Sequence, residues 1–192
     1  MFSAYKRNTL LLLIIALLAA CATKLPQQEK THELAVRHLL LMMNQRLAVA
    51  PLVAKSKWNS GAPVDDPARE QQILDDIGSR AKQAGLDAKL AKDFFQSQFD
   101  AGKIIQLQLH AKWRQQHLPN FDNAPDLGRD VRPVLDKLTP ELIAALNELQ
   151  THLCDADIQR LLVQQSMQVF TAEWDQPTRE RALAPLLCTK NA

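Results

Sequence analysis

The sequence predicts an all-α protein, a bundle of about six helices with one long central helix. Three observations carry that prediction. Of the 192 residues 46% are hydrophobic and only 5 are Gly, and helix formers led by Ala, Leu and Gln outweigh the β-branched and aromatic residues. Apolar residues recur in steps of three and four over long windows, the helical period. N-cap residues stand where those windows begin, with Asp66 before Pro67 and Asp87 before the longest window.

The first twenty residues read as an export signal rather than as part of the fold. Lys6 and Arg7 form a basic start, and residues 10–18 form an apolar run too short to span a bilayer comfortably. Leu18-Ala19-Ala20-Cys21 resembles a bacterial lipobox, which implies cleavage before Cys21 and lipidation of its thiol. Ala22 after that Cys implies outer-membrane sorting on the same resemblance. Ala20-Cys21-Ala22 also satisfies the small-x-small rule of ordinary signal cleavage, which would leave a free periplasmic protein. Residues 21–30 read as a polar tether.

Residues 31–192 read as a single helical domain, with helices of a catalytic half at 31–118 and a C-terminal helical half at 126–192. A first helix is expected over 31–58, on which Leu39, Met42, Met43, Arg46, Val49, Ala50, Val53 and Lys57 share one face. After a loop at 59–65, Asp66 caps a second helix over 67–84 that Gly85 ends. Asp87 caps the long third helix, to about residue 117, with a stripe of Phe95, Phe99, Gly102, Gln106, Leu109 and Trp113. A turn-rich connection at 118–127 follows, then a short helix at 128–137 bearing Arg129 and Arg132. Thr139 is expected to cap another helix to about residue 153, and helices at 155–173 and 178–187 end the chain.

Charge and cysteine content narrow the function. Without Lys6 and Arg7 the basic residues equal the 21 acidic ones, so the exported chain is formally neutral and lacks the basic excess of a nucleic-acid binder. Once Cys21 is processed, Cys154 and Cys188 remain as a natural disulfide pair in an oxidising compartment. The chain has no serine nucleophile elbow, HExxH, CxxC or phosphate-binding Gly loop, and its five His residues show no metal-ligand spacing. What stands out is a set of cations in an apolar seam. Arg46 and Lys57 lie three helical turns apart on one face, and Arg69 arrives in the first turn of the next helix, where an acidic residue is usual. Buried unpaired charge is expensive, so this seam needs an anionic partner, from a side chain or a ligand.

The ordered set of R-L-x-x-x-x-x-V-A-x-x-K-W at 46–58, D-P-x-R-E at 66–70, F-F-x-x-Q at 94–98 and Gln106 resembles the all-helical chorismate mutases. The signal, R-P-x-L-D-x-L-T at 132–139 and the late Cys pair resemble their secreted class, the gamma class of the AroQ family. The resemblance spans about residues 31–190. It implies an isomerase that rearranges chorismate to prephenate in aromatic amino acid biosynthesis, with no cofactor or metal and as a homodimer. It also assigns roles. Arg46 falls on a ligand of one substrate carboxylate, Lys57 on the lysine that reaches the ether oxygen and a carboxylate, and Arg69 on a supporting arginine. Asp66 and Glu70 fall where the family contacts the ring hydroxyl, and Gln106 on the second donor to the ether oxygen. Arg132 matches an arginine supplied by the same chain, with Arg129 as its competitor. Gly102 departs from the Ser or Thr that relatives often carry there.

Two other readings use the same residues. One is a non-catalytic periplasmic module that binds a small dicarboxylate. The other is a helical scaffold whose seam cations pair with Asp65, Asp66, Glu70 or Asp76.

Overall fold

The computed structural model describes residues 27–170 and 174–188. The export signal, Cys21 and most of the tether lie outside the described residues. Residues 27–30, read as tether, are already helical. The chain falls into two compact units, one ending at Leu34 and the other Ala35–Ala192.

Seven α-helices are present among the described residues: α1 (27–47), α2 (Ala50–Ser60), α3 (Pro67–Ala84), α4 (Ala88–Gln115), α5 (Arg132–Leu149), α6 (Ala156–Val169) and α7 (Gln176–Leu183). No strand occurs among those residues. The all-α class and the long central helix are as predicted. The expected first helix is divided in two because Pro51 has no N–H and its ring collides with the preceding turn. The chain turns at residues 48–49 and restarts, with the Ala48 N–H bonded to the Asn44 carbonyl and the Val49 N–H to that of Arg46. The buried face nevertheless continues through the break, with Leu39, Met43, Val49, Ala50 and Ala54 all buried.

Pro140 has the opposite outcome. The short helix at 128–137 and the Thr139-capped helix are one continuous α5, with Pro140 inside it and no cap at Thr139. The Thr139 hydroxyl donates back to the Leu135 carbonyl at 2.7 Å. An interior proline costs about 3 kcal/mol. Leu138, Leu142, Ile143 and Leu146 are buried around it, and each such side chain contributes roughly 1.5–3 kcal/mol. Tertiary burial therefore carries the helix through. Before α5, Leu127–Val131 forms a π-helical turn capped by Asp126, whose carboxylate accepts the Arg129 N–H.

The caps of α3 and α4 are as predicted. Asp66 accepts the Arg69 N–H at 3.1 Å and Asp87 accepts the Leu90 N–H at 2.7 Å. Gly85 ends α3 in the left-handed region at φ 78°, where a side chain would be strained.

At 28 residues α4 is about 42 Å long, and it packs against α2, α3 and α7. Its fully buried residues include Ala91, Phe94 and Ala101 beside the predicted stripe, and Phe95 within it, while Trp113 of the stripe is buried and Phe99 and Leu109 pack against the core. The face through Phe94, Gln98 and Ala101 meets α7: the Ser97 hydroxyl donates to the Arg181 carbonyl and the Gln98 amide to that of Ala182. Phe95, Phe99, Gly102 and Gln106 of that stripe also form one wall of a cavity. The connection at 118–127 is pinned to the end of α2. The Asn59 amide donates to the Phe121 carbonyl at 2.7 Å and accepts its N–H at 2.8 Å, and the Trp113 and Phe121 rings meet edge to face.

Cys154 and Cys188 form a disulfide with Cα atoms 5.6 Å apart, closing a separation of 34 residues. It ties the turn before α6 to the segment after α7. Gln159 braces the same place, donating to the Leu186 carbonyl and accepting the Cys188 N–H. Replacing both cysteines by serine should lower unfolding free energy by about 3–4 kcal/mol in the chain-entropy account. Denaturant unfolding of oxidised protein against the double variant checks this; equal midpoints would show the bridge to be dispensable.

Candidate active site

A cavity of about 550 Å3 lies between α1–α2, α3, α4 and the start of α5. It contains every candidate binding residue read from the sequence: Arg46, Lys57, Asp66, Arg69, Glu70, Gln106 and Arg132. Four different segments deliver them, and each does so for a local reason. The buried face of α1 and α2 carries Arg46 and Lys57. The Asp66 cap starts α3 so that Arg69 and Glu70 occupy its first turn. The apolar period of α4 brings Gln106 onto the wall, and the π-helical turn leads Arg132 to the rim.

Arg46 is the unusual group. Its Nε is buried without a hydrogen-bond partner, and among the described residues no carboxylate pairs with it. Its guanidinium lies over the rings of Phe95 and Phe99, 5.6 and 5.2 Å from their centroids. Burial pushes its pKa down to about 10, so it still carries its charge at neutral pH. Aromatic faces attract a cation but do not accept its in-plane N–H bonds. The arrangement leaves a desolvated cation open to an anionic ligand.

Lys57 donates to the Val64 carbonyl at 2.7 Å. Burial holds its ammonium below the usual lysine range, while Asp66, Glu70 and Asp65 pull the other way. Gln106 is buried, and its Oε1 has no partner. Buried amides are almost always hydrogen-bonded, so an open one in a cavity marks a place where a ligand completes the set. Arg69 and Arg132 are exposed at the rim; Arg69 reaches the Gln72 side chain at 3.3 Å. Arg129 does not enter the cavity. It points to solvent and pairs with Asp130 at 2.9 Å.

Three features of the cavity were not read from the sequence. Lys103 lines it and pairs with Glu70 at 3.1 Å, Asp100 at 3.2 Å and Asp65 at 3.4 Å. Its position four residues after Phe99 and three before Gln106 places it beside the stripe, a signal the sequence contained. Gln98 presents a second unpartnered buried carbonyl oxygen, and Arg80 pairs with Asp76 at 2.8 Å farther along α3. Gly102 borders the cavity, and a Cβ built there would meet only the Ala50 Cβ at 3.8 Å, ordinary contact. A side chain at that position would fit.

The charge balance is informative. Glu70 and Asp76 are taken by Lys103 and Arg80, and the Asp66 carboxylate caps α3. Among the described residues no carboxylate lies within ion-pair distance of Arg46, Lys57, Arg69 or Arg132, so the scaffold reading fails for these four. No group of three or more His, Cys, Asp or Glu side chains among those residues is arranged to hold a metal ion. The unpaired cations that line this cavity suit a small anionic molecule.

The family model for chorismate mutase type II matches residues 37–107, the stretch that carries Arg46, Lys57, Asp66, Arg69, Glu70 and Gln106. The secreted chorismate mutase of Mycolicibacterium smegmatis is 31% identical over 122 residues, which cover 62% of this chain and 67% of that protein. The crystal structure of chorismate mutase from Burkholderia thailandensis superposes with a TM-score of 0.71 at 35% identity, over 79% of this chain and 98% of the other. That of the Burkholderia phymatum enzyme gives 0.72 at 29% identity, over 82% and 99%. These two superpositions extend beyond the family-model match and take in the C-terminal half.

Proposed function

The chain belongs to the chorismate mutase family, and from that premise we propose how its cavity converts chorismate to prephenate. The reaction is a unimolecular rearrangement: one C–O bond breaks, one C–C bond forms, and no proton moves. The protein is an isomerase. Its task is to hold a flexible dicarboxylate in a compact chair and to stabilise the negative charge that develops on the ether oxygen.

Arg46 takes one substrate carboxylate, and Arg132 and Arg69 at the rim hold the other end of the dianion. Lys57 and the Gln106 amide donate to the ether oxygen. Asp66 and Glu70 face the ring hydroxyl, Asp66 through its backbone because its carboxylate is the helix cap. The observation that carries this reading is the meeting, in one cavity, of an Arg46 guanidinium that no carboxylate pairs, a Lys57 ammonium bonded only to a backbone carbonyl, and the Gln106 amide. Chorismate consumption by protein made in an oxidising compartment, with no added metal or cofactor, tests it; a folded, disulfide-bonded protein without turnover would overturn it.

Because Gln106 donates as a neutral amide, the rate should be flat across neutral pH. Gln106→Glu should convert this to a steep dependence. A carboxylate cannot donate, so activity should rise as pH falls through the pKa of the new Glu and vanish above it. A pH–rate profile of the variant that stayed level would remove Gln106 from the ether oxygen.

The protein is exported, as its secreted relative is. We further infer a lipid anchor at Cys21 and a homodimer. Mass spectrometry of the mature N-terminus and the solution mass of the 22–192 chain decide these; an unmodified N-terminus or a monomer would refute them.

A further inference from the structure

We propose that Lys103 is a positioning residue for this reaction: by holding the Glu70 carboxylate it keeps the Lys57 ammonium free for the ligand. The proposal rests on the reading of the cavity given above. Lys103 Nζ is shared among Glu70, Asp100 and Asp65, and Glu70 Oε2 also accepts from the Gln96 amide at 3.4 Å. The Glu70 and Lys103 side chains are only 19% and 20% exposed, whereas Asp65 is 68% exposed. A carboxylate this sheltered is costly to leave without a cation.

Lys57 shares the same pool of charge. Asp65 and Asp66 act on it from the loop and the cap, Glu70 from α3, and Lys103 opposes them from α4. Yet its ammonium contacts only the Val64 carbonyl, and no carboxylate lies within ion-pair distance. An ammonium has three protons, so two remain for a substrate. With Lys103 gone, Glu70 keeps its charge and its partial burial, and Lys57 is the cation at hand. A Lys57–Glu70 pair would have to break before the lysine could reach substrate. Lys103 thus does for Glu70 what Lys57 would otherwise do. The competing account is that Lys103 only cross-links α3 to α4.

Kinetics on chorismate and the titration of Lys57 followed by NMR in ligand-free protein separate the two. Lys103→Met should lower kcat/KM by about 10- to 100-fold, the range of a charge-assisted pair that must be broken. In a Glu70→Gln background the same substitution should change kcat/KM by less than about threefold, because no carboxylate remains to capture the lysine. The Lys57 titration should move to higher pH in Lys103→Met and return most of the way in the double variant. Lys103→Arg should keep most of the activity, and Lys103→Gln serves if the Met variant fails to fold. An equal loss in both backgrounds, or an unmoved Lys57 titration, would overturn the proposal in favour of the cross-link. If the unaltered protein does not turn over chorismate, the assigned reaction fails, and the titration still decides whether Lys103 holds Glu70 away from Lys57.

Discussion

Replacing Lys57 by alanine should lower kcat for chorismate by about two to three orders of magnitude, with a much smaller rise in KM. The ether oxygen carries little charge in bound substrate and much more in the transition state. A donor aimed at it therefore contributes mainly where the charge develops. Lys57 is suited to this because its ammonium is sheltered and kept from every carboxylate in the cavity, with only the Val64 carbonyl as partner. Shelter lowers the effective dielectric and so enlarges the Coulombic gain. Gln106 remains in the variant and sustains a residual rate. Steady-state kinetics with a direct measurement of ligand affinity provide the check. Parallel losses in affinity and kcat would make Lys57 a ground-state anchor and nothing more.

Arg46→Met should lower kcat/KM by a comparable factor while leaving the ligand-free protein as stable as before, or more so by about 1–3 kcal/mol. Met retains an unbranched chain between Phe95 and Phe99 and removes the charge. The sign follows from the guanidinium pKa, which burial lowers from its ordinary range to about 10. A base whose pKa falls on folding is disfavoured in its charged form, so it costs stability at every pH below about 10 and the cost fades as pH rises from there toward the ordinary guanidinium range. At pH 7 the whole cost is present, and the substitution relieves it. Substrate reverses the balance, since a bound carboxylate supplies the missing partner. Thermal unfolding with and without ligand reads both halves. A variant that loses stability in the absence of ligand would mean that Arg46 has a structural partner after all.

The two substitutions probe a site whose parts differ in how far they could be read. The caps at Asp66 and Asp87 are local: the carboxylate and the N–H it accepts are three residues apart, so the chain contains the whole interaction. The seam of Arg46 and Lys57 is nearly as local, since helical period alone puts both on one face, and it survives the break at Pro51. The prolines show the limit. Pro51 divides a helix and Pro140 does not, although both stand within apolar periodic windows. Buried residues flank both, Leu47, Val49, Ala50 and Ala54 about Pro51 and Leu138, Leu142 and Ile143 about Pro140, so the local pattern does not tell the two apart.

The α4 stripe makes the same point for the site. Periodicity identified Phe95, Phe99, Gly102 and Gln106 as one face, but a face can be filled by another helix or left open. Here the adjoining seam through Phe94, Ala101 and Ile105 is filled, and the predicted stripe is filled at Phe95 and Trp113 but open to the cavity at Gly102 and Gln106. The choice of Arg132 over Arg129 likewise required the π-helical turn, which sends one arginine to the rim and the other to Asp130. The role of Lys103 is not local, because its partners Asp65 and Glu70 come from a segment more than 30 residues earlier.

By itself, then, the sequence determined the helical class, the caps at Asp66 and Asp87 and the presence of cations on one apolar face, because each depends on residues within a few turns of one another. The tertiary structure alone decided which face stays open, which carboxylates are already taken and which cations are left for a ligand. Those outcomes depend on distances between helices far apart in the chain, and no local spacing encodes them.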